Sequence, residues 1–348
     1  MINFYFLVII RRNFIDICSL AIIKERTCQN SYTKNHYLCK KCQRMSITEV
    51  KIRNEIIKSP LNYIGGKYKI LPQILPLFPK SINTFIDLFA GGCNVGINVK
   101  ANKIIFNDNL IYLIDFFKTI HQQNLDITIN HITNRIEEFN LSITNETAYK
   151  NFRDFYNETR NPLDLFVLIA YSFNHQIRFN NSHKFNNPFG KNRSSFNATM
   201  KYNLEKFIIK LKTINAEFTN LNFDKFDFNS LKSNDFVYAD PPYLITTGTY
   251  NDGKRGFTGW NEQEEKKLLQ ILNELNNNNV KFALSNVIKH KGKTNHLLLD
   301  WIREFGYTIN YIKKNYANSN YQTKNREKNG SLEVLITNYK PYKPATLF

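Results

Sequence analysis

Phe85-Ile-Asp-Leu-Phe-Ala-Gly-Gly-Cys-Asn-Val-Gly96 is the stretch whose reading decides the fold. Residues 84–89 form a short apolar run that ends in a cluster of glycines, the mark of a buried strand. Residues 90–96 then read as a tight turn, because glycines between a strand and a helix let the backbone approach a ligand closely. A short helix is expected over residues 96–101. Lys103-Ile-Ile-Phe-Asn107 reads as a second strand with Asp108 at its carboxyl end, and residues 109–121 as an amphipathic helix. Strand, turn, helix, strand and acid, in that order, make the front half of a dinucleotide-type α/β unit. The dinucleotide fingerprint itself is absent, since Gly91, Gly92 and Gly96 have no preceding G-x-G. A plain βα turn therefore stays open at this point. Asp108 could accept hydrogen bonds from both hydroxyls of a ribose, or cap a solvated helix.

Downstream, residues 127–139, 146–156 and 162–173 read as helices, and residues 175–196 as a polar stretch rich in Asn, Lys, Arg and Phe with little period. Strands return at residues 218–223 and in Asp235-Phe-Val-Tyr-Ala-Asp240. Residues 262–275 form an amphipathic helix with Leu268, Leu269, Leu272 and Leu275 on one face. A strand at 280–285, a helix at 297–305 and a strand at 332–337 complete the pattern. The result is a parallel-type sheet interrupted by a helical, basic insertion, with no internal repeat.

Two further segments carry chemistry. In Asn62-Tyr-Ile-Gly-Gly-Lys67, Gly65 and Gly66 expose backbone donors and Lys67 can reach a carboxylate. Tyr63 offers a ring face to a cation. A surface turn is the plain alternative. Asp240-Pro-Pro-Tyr243 follows the strand at 236–239 and is the more specific signal. Pro241 and Pro242 remove backbone donors and stiffen the turn. The Asp240 side chain and the Pro241 carbonyl then present two fixed acceptors. An exocyclic amino group has two hydrogens to give. Gripping both would draw its lone pair out of ring conjugation and aim it at an electrophile, while Tyr243 supplies a face for a stacked base.

Composition agrees with a nucleic-acid partner. The 348 residues hold 47 Lys and Arg against 29 Asp and Glu, a net charge of +18. Such an excess attracts polyanions and speeds encounter with them, although a general bias toward Lys and Asn, visible at Asn276–Asn279, would also raise it. Hydrophobic residues at 42% and charged residues at 22% are ordinary for a globular chain with a sizeable core. Four of the five cysteines, Cys18, Cys28, Cys39 and Cys42, lie near the N-terminus, and only Cys93 lies in the body. No disulfide framework is expected, and a reduced cytoplasm fits. The apolar run at residues 4–10 precedes Arg11-Arg12, the wrong order for a secretory signal, and Arg11, Arg12 and Asp16 interrupt any membrane span. Cys39-Lys-Lys-Cys42 has the spacing of half a zinc site, with Cys28 and His36 as possible further ligands. A chance pattern in a tail is the favoured reading, so no metal is expected. Met45 is an alternative start, since organised patterning begins only after it.

Asn62–Lys67, Phe85–Gly96, Asn107-Asp108 and Asp240–Tyr243 together resemble the Dam-type adenine-specific DNA methyltransferases, and their order resembles the alpha group of amino-methyltransferases. The likeness runs from about Leu61 to Tyr339. Phe173-Asn-His-Gln-Ile-Arg-Phe-Asn180 followed by Phe185-Asn-Asn-Pro-Phe-Gly-Lys191 resembles the family's target-recognition segment. His183-Lys184 stands where the family shows a Gly, and Cys93-Asn94 where it favours Ala, Gly or Ser. Neither departure removes a group the chemistry needs.

The resemblance implies a Rossmann-like α/β sheet, with helices on both faces and an inserted, mainly helical target-recognition domain. It implies an extension at 1–45, catalytic parts at 46–124 and 203–348, and target recognition at 125–202. S-adenosylmethionine would be the methyl donor, held by Tyr63, Gly65, Gly66, Lys67, Asp87, Phe89, Gly91, Asp108, Phe223 and Asp240. Asp240, Pro241, Pro242 and Tyr243 would act on an adenine flipped out of duplex DNA. Arg178, Asn180, Lys184, Asn187, Lys191 and Arg193 would contact DNA, with Arg178 suited to a guanine edge. The segment points to GATC, and the setting to a restriction–modification system with a cognate endonuclease and no membrane partner. A binding-only basic protein, or a methyltransferase for cytosine, RNA or a protein amide, are the rival expectations.

Overall fold

The structure, a computed structural model, describes residues 55–63, 65–246, 260–313 and 331–342. Cys18, Cys28, His36, Cys39, Cys42 and the alternative start Met45 lie outside them. Ile56–Phe348 is one compact unit, and it holds the sheet and its helices.

Among the described residues eight strands make one sheet: β1 Thr84–Asp87, β2 Lys103–Asn107, β3 Ala216–Thr219, β4 Phe236–Ala239, β5 Lys281–His290, β6 Lys293–Thr294, β7 Thr308–Ile312 and β8 Leu332–Thr337. The order is β3-β2-β1-β4-β5-β8-β7, with two-residue β6 against β5. β1 to β5 run parallel, and β8 enters antiparallel between β5 and β7. β1 lies between β2 and β4. The chain therefore leaves the sheet in opposite directions there, and the carboxyl ends of these strands border the crevice where such sheets take ligands.

Both faces of the sheet are covered, so the strands read as continuous apolar runs. Phe85, Phe236 and Tyr238 belong to one core. It is filled from α1 (Ile111–Gln122) by Leu113, Phe116, Phe117 and Ile120, and from α5 (Ala198–Leu211) by Leu204, Phe207 and Leu211. Ile86, Val237 and Ala239 face the other core, with α6 (Glu262–Asn277) and α7 (His296–Phe305). The expected stripe Leu268, Leu269, Leu272 and Leu275 is buried there, each side chain contributing about 2 kcal/mol relative to exposure.

The insertion begins with α2 (Leu125–Glu138), α3 (Glu146–Thr159) and α4 (Pro162–Tyr171). Every residue of α4 after Pro162 is buried, and it packs against α1, α2 and α3. Its core is continuous with that of the sheet. Asn145, Asn161, Asn197, Asn261 and Asn295 each accept a backbone N–H at the start of a helix. The asparagine enrichment thus has a local structural use.

Several expectations need adjusting. The helix expected at 96–101 is one 3₁₀ turn, Gly96–Asn98, because Val99 leaves it extended. The segment at 218–223 is strand only to Thr219, and Phe223–Lys225 is a 3₁₀ turn. β7 and α5 have no counterpart in the expected elements. α5 spans Ala198–Leu211 without a break. Among the described residues no helix is long and apolar enough to cross a membrane.

Candidate active site

The glycine turn after β1 is built around two buried carboxylates. Asp87 ends β1 and its Oδ2 accepts the Gly96 N–H at 3.0 Å. Gly96 has to be glycine, since a Cβ there would stand 2.4 Å from Phe106 Cε1 and 3.1 Å from Asp87 Oδ2. Asp108, just past β2, accepts the Gly91 N–H at 2.8 Å through Oδ2 and the Leu110 N–H at 2.9 Å through Oδ1. The Tyr63 ring lies against Gly91, 2.8 Å from where a Cβ would be, so Gly91 is fixed by close approach as well as by its positive φ of 48°.

The departure at Cys93-Asn94 now has a physical account. Cys93 takes a left-handed φ of 57° and is fully buried, while Asn94 Oδ1 accepts the Ser59 N–H at 3.0 Å. Asn98 does the same one turn later, bonding both the N–H and the carbonyl of Ile57. Together they tie the segment before Tyr63 to the glycine turn.

Asp240 follows β4, the parallel neighbour of β1, so its carboxylate joins those of Asp87 and Asp108 at one edge of the sheet. Lys67 supplies the positive charge. Its Nζ is 2.6 Å from Asp240 Oδ2, donates to the Gly65 carbonyl at 2.9 Å and lies 5.2 Å from the Tyr243 ring centre. The Tyr243 hydroxyl lies 3.1 Å from Asp240 Oδ1 and 3.2 Å from Glu333 Oε1. Pro241 is buried and Pro242 exposed.

Burial dominates the electrostatics. It pushes Asp87 up to about 7, with Asp240 and Asp108 adding repulsion against the Gly96 hydrogen bond and Lys67. Burial also raises Asp108 and Asp240, opposed by backbone hydrogen bonds in the first case and by Lys67 in the second. The Tyr63 and Tyr243 phenols are pushed up by burial and by neighbouring carboxylates, so both stay neutral.

Beside the carboxylates lies an aromatic corner. Phe89 and Phe223 have ring centres 5.4 Å apart, and Trp260 meets them at 5.7 and 5.4 Å. Trp260 is fixed by its indole N–H, which donates to Glu265 Oε2 at 2.6 Å; the other oxygen of Glu265 accepts from Asn286 at 2.8 Å. Trp260, Glu265 and Glu333 are absent from the sequence-derived site. Glu333 did leave a signal, as a lone carboxylate inside Leu-Glu-Val-Leu-Ile-Thr. Trp260 left none beyond the helix cap that follows it.

The expected DNA-contacting residues divide. Arg178, Lys184, Lys191 and Arg193 are exposed, with Arg193 4.7 Å from the Phe173 ring centre. Asn187 is placed differently. It is buried, and its amide donates to the carbonyls of Phe173 and Gln176 at 2.9 and 3.0 Å, so it braces the loop from within. Asn180 is half-buried, and its side-chain oxygen accepts the N–H groups of Ser182 and Lys184 inside the turn. His183 takes the left-handed conformation, φ 56°, that a glycine would supply there. Asn62 donates to the Asn174 carbonyl at 3.0 Å, joining the Tyr63–Lys67 loop to this segment.

The family model for D12 class N6 adenine-specific DNA methyltransferases matches residues 63–322. The chain belongs to this family. It is 54% identical over 308 residues to modification methylase StsI of Streptococcus sanguinis, covering 88% of this chain and 46% of that protein. It is 53% identical over 289 residues to type II methyltransferase M.FokI of Planomicrobium okeanokoites, covering 83% and 44%. The DNA adenine methylase of Salmonella typhi is 25% identical over 231 residues, covering 65% and 79%. The chain thus spans less than half the length of the two modification enzymes. GATC gains no support, because the strong similarity lies with modification enzymes and the match to a DNA adenine methylase is at 25%.

D12 methyltransferases use S-adenosylmethionine. The pocket suits that cofactor chemically. Two buried carboxylates, Asp87 and Asp108, and the partly buried Asp240 share one nearby lysine, which favours a ligand bearing positive charge. Phe89 and Phe223 provide an apolar corner for a flat ring.

Proposed function

We propose that this chain methylates the exocyclic amine of adenine in duplex DNA, as the modification enzyme of a restriction–modification system. The observation that carries the reading is the Lys67–Asp240–Tyr243 arrangement, an amine acceptor held rigidly beside two further carboxylates at the carboxyl edge of the sheet. When bound, S-adenosylmethionine supplies an electrophilic methyl group on a sulfonium. Asp108 would accept its ribose hydroxyls, Phe89 and Phe223 would flank its adenine, and Tyr63, Gly65, Gly66, Asp87 and Gly91 would line the rest.

On this reading the target adenine leaves the helix, since its amine is out of reach inside it. Asp240 Oδ1 and the Pro241 carbonyl take the two amine hydrogens, the Tyr243 ring supports the base, and Lys67 fixes Oδ2. Most of the acceleration comes from positioning. Residues 125–202 serve target recognition, with Arg178, Lys184, Lys191 and Arg193 toward DNA. The two catalytic parts lie either side, at 46–124 and 203–348. The relatives' names as modification enzymes support a cognate endonuclease sharing the site, and a cytoplasmic setting follows from the substrate.

The test is transfer of labelled methyl from S-adenosylmethionine to duplexes with and without adenine. The expected result is label in the adenine-containing duplex alone. Label in neither duplex would favour a basic DNA-binding protein without activity, and label in both would favour another amino substrate.

A further inference from the structure

Glu333 sits in β8 beside Val334, Leu335 and Ile336, and all four are buried. A carboxylate buried in an apolar strand costs several kcal/mol unless it is paired. Its Oε1 faces the Tyr243 hydroxyl at 3.2 Å and the Lys67 ammonium at 4.0 Å. That hydroxyl has one proton and two acceptors, Glu333 Oε1 and Asp240 Oδ1, at nearly equal distance. Asp240 Oδ2 is already held by Lys67 at 2.6 Å. Oδ1 is therefore the oxygen more open to an incoming amine, which would share its lone pairs with the Tyr243 hydroxyl.

We propose that Glu333 is a positioning residue that takes the Tyr243 hydroxyl when the target amine claims Asp240 Oδ1. The inference rests on the methyl-transfer reading above. The hydroxyl turns from one carboxylate to the other, so its proton is never left without an acceptor and Asp240 is freed for the amine. Glu333 touches neither the base nor the cofactor in this role. Without it, the Tyr243 hydroxyl would stay on Asp240 Oδ1 and weaken that oxygen's bond to the substrate amine.

The test is a double-mutant cycle on the full chain with duplex DNA. Glu333→Leu should lower kcat about tenfold, equivalent to about 1.4 kcal/mol, with S-adenosylmethionine affinity within about twofold of the unsubstituted chain. Glu333→Gln keeps an oxygen acceptor and should stay within about threefold in kcat. In a Tyr243→Phe background no hydroxyl competes, so adding Glu333→Leu should cost less than about twofold. An equal loss in both backgrounds, or no loss in either, would overturn the proposal. If Glu333→Leu does not fold, Glu333→Gln decides: a tenfold loss with normal cofactor binding would mean that charge rather than acceptance matters, and would overturn it. Absence of transfer by the unsubstituted chain would sink the methyl-transfer reading itself, a separate result that takes this inference with it.

Discussion

Lys67 Nζ, itself buried, and Asp240 Oδ2 meet at 2.6 Å in an ion pair that joins the loop before the first strand to the turn after the fourth. Burial raises the Asp240 pKa, and Lys67 is the main influence opposing it. Lys67→Met should leave Asp240 protonated over more of the pH range. A protonated Asp240 is a poorer acceptor for the amine, so methyl transfer at neutral pH should fall, by about 100-fold if its acid–base state governs the rate. The acidic limb of the pH–rate profile should move to higher pH. An unmoved limb would mean that Lys67 does not tune Asp240.

Gly96→Ala tests the packing of the turn. The added methyl meets Phe106 and the Asp87 carboxylate inside a filled core, and overpacking of this kind costs about 1–3 kcal/mol. Urea unfolding should show a lower midpoint. Phe106→Leu in the same chain should recover part of the loss by opening the contact at Cε1.

Asp87 makes stability depend on pH in a defined direction. Its folded pKa of about 7 lies above the ordinary aspartate value of 3.8 because the charged form is buried. Between those values the folded state holds the extra proton, so stability falls as pH rises from about 4 toward 7, by up to about 1.4 kcal/mol per pH unit. Burial of Asp108 and Asp240 acts in the same direction. Urea midpoints of the ligand-free protein should drop from pH 5 to pH 7, and Asp87→Asn should flatten the slope. An unchanged slope would place the proton elsewhere.

The insertion makes a contrast between two kinds of residue. Lys184→Ala and Lys191→Ala should each weaken DNA binding and lower the salt slope of log K by about 1 if each side chain meets a phosphate. Asn187→Ala should leave that slope unchanged while lowering stability by about 1 kcal/mol, since a buried side chain loses its two hydrogen bonds to the loop carbonyls of Phe173 and Gln176. Filter-binding isotherms at several salt concentrations, paired with thermal melts, separate the two.

How much of this was legible in the sequence depends on the range of the interaction. The βα unit was readable because residues 84–96 and Asp108 are local and their residue types leave few alternatives. Lys67 was expected to reach a carboxylate, but nothing in the chain says that Asp240 is the one, because the pairing of β1 with β4 creates that neighbour. The burial of Asn187 was not legible, because a polar residue in a basic loop has no sequence mark that separates bracing from recognition. α5 was missed, although Leu204, Phe207, Ile208 and Leu211 have helical spacing, because it follows directly on the irregular loop. The roles of Glu333 and Trp260 depend on tertiary placement, one brought to Tyr243 by the antiparallel strand that enters the sheet, its only local mark a lone carboxylate in an apolar run, and one packed on Phe89.

The central claim is best tested by nucleoside mass spectrometry of duplex DNA incubated with the protein and S-adenosylmethionine. The account predicts N6-methyladenine with the unsubstituted chain, and none above background with Asp240→Asn that melts as a folded protein. Methylcytosine as the product, no methylated base at all, or full activity in Asp240→Asn would contradict it.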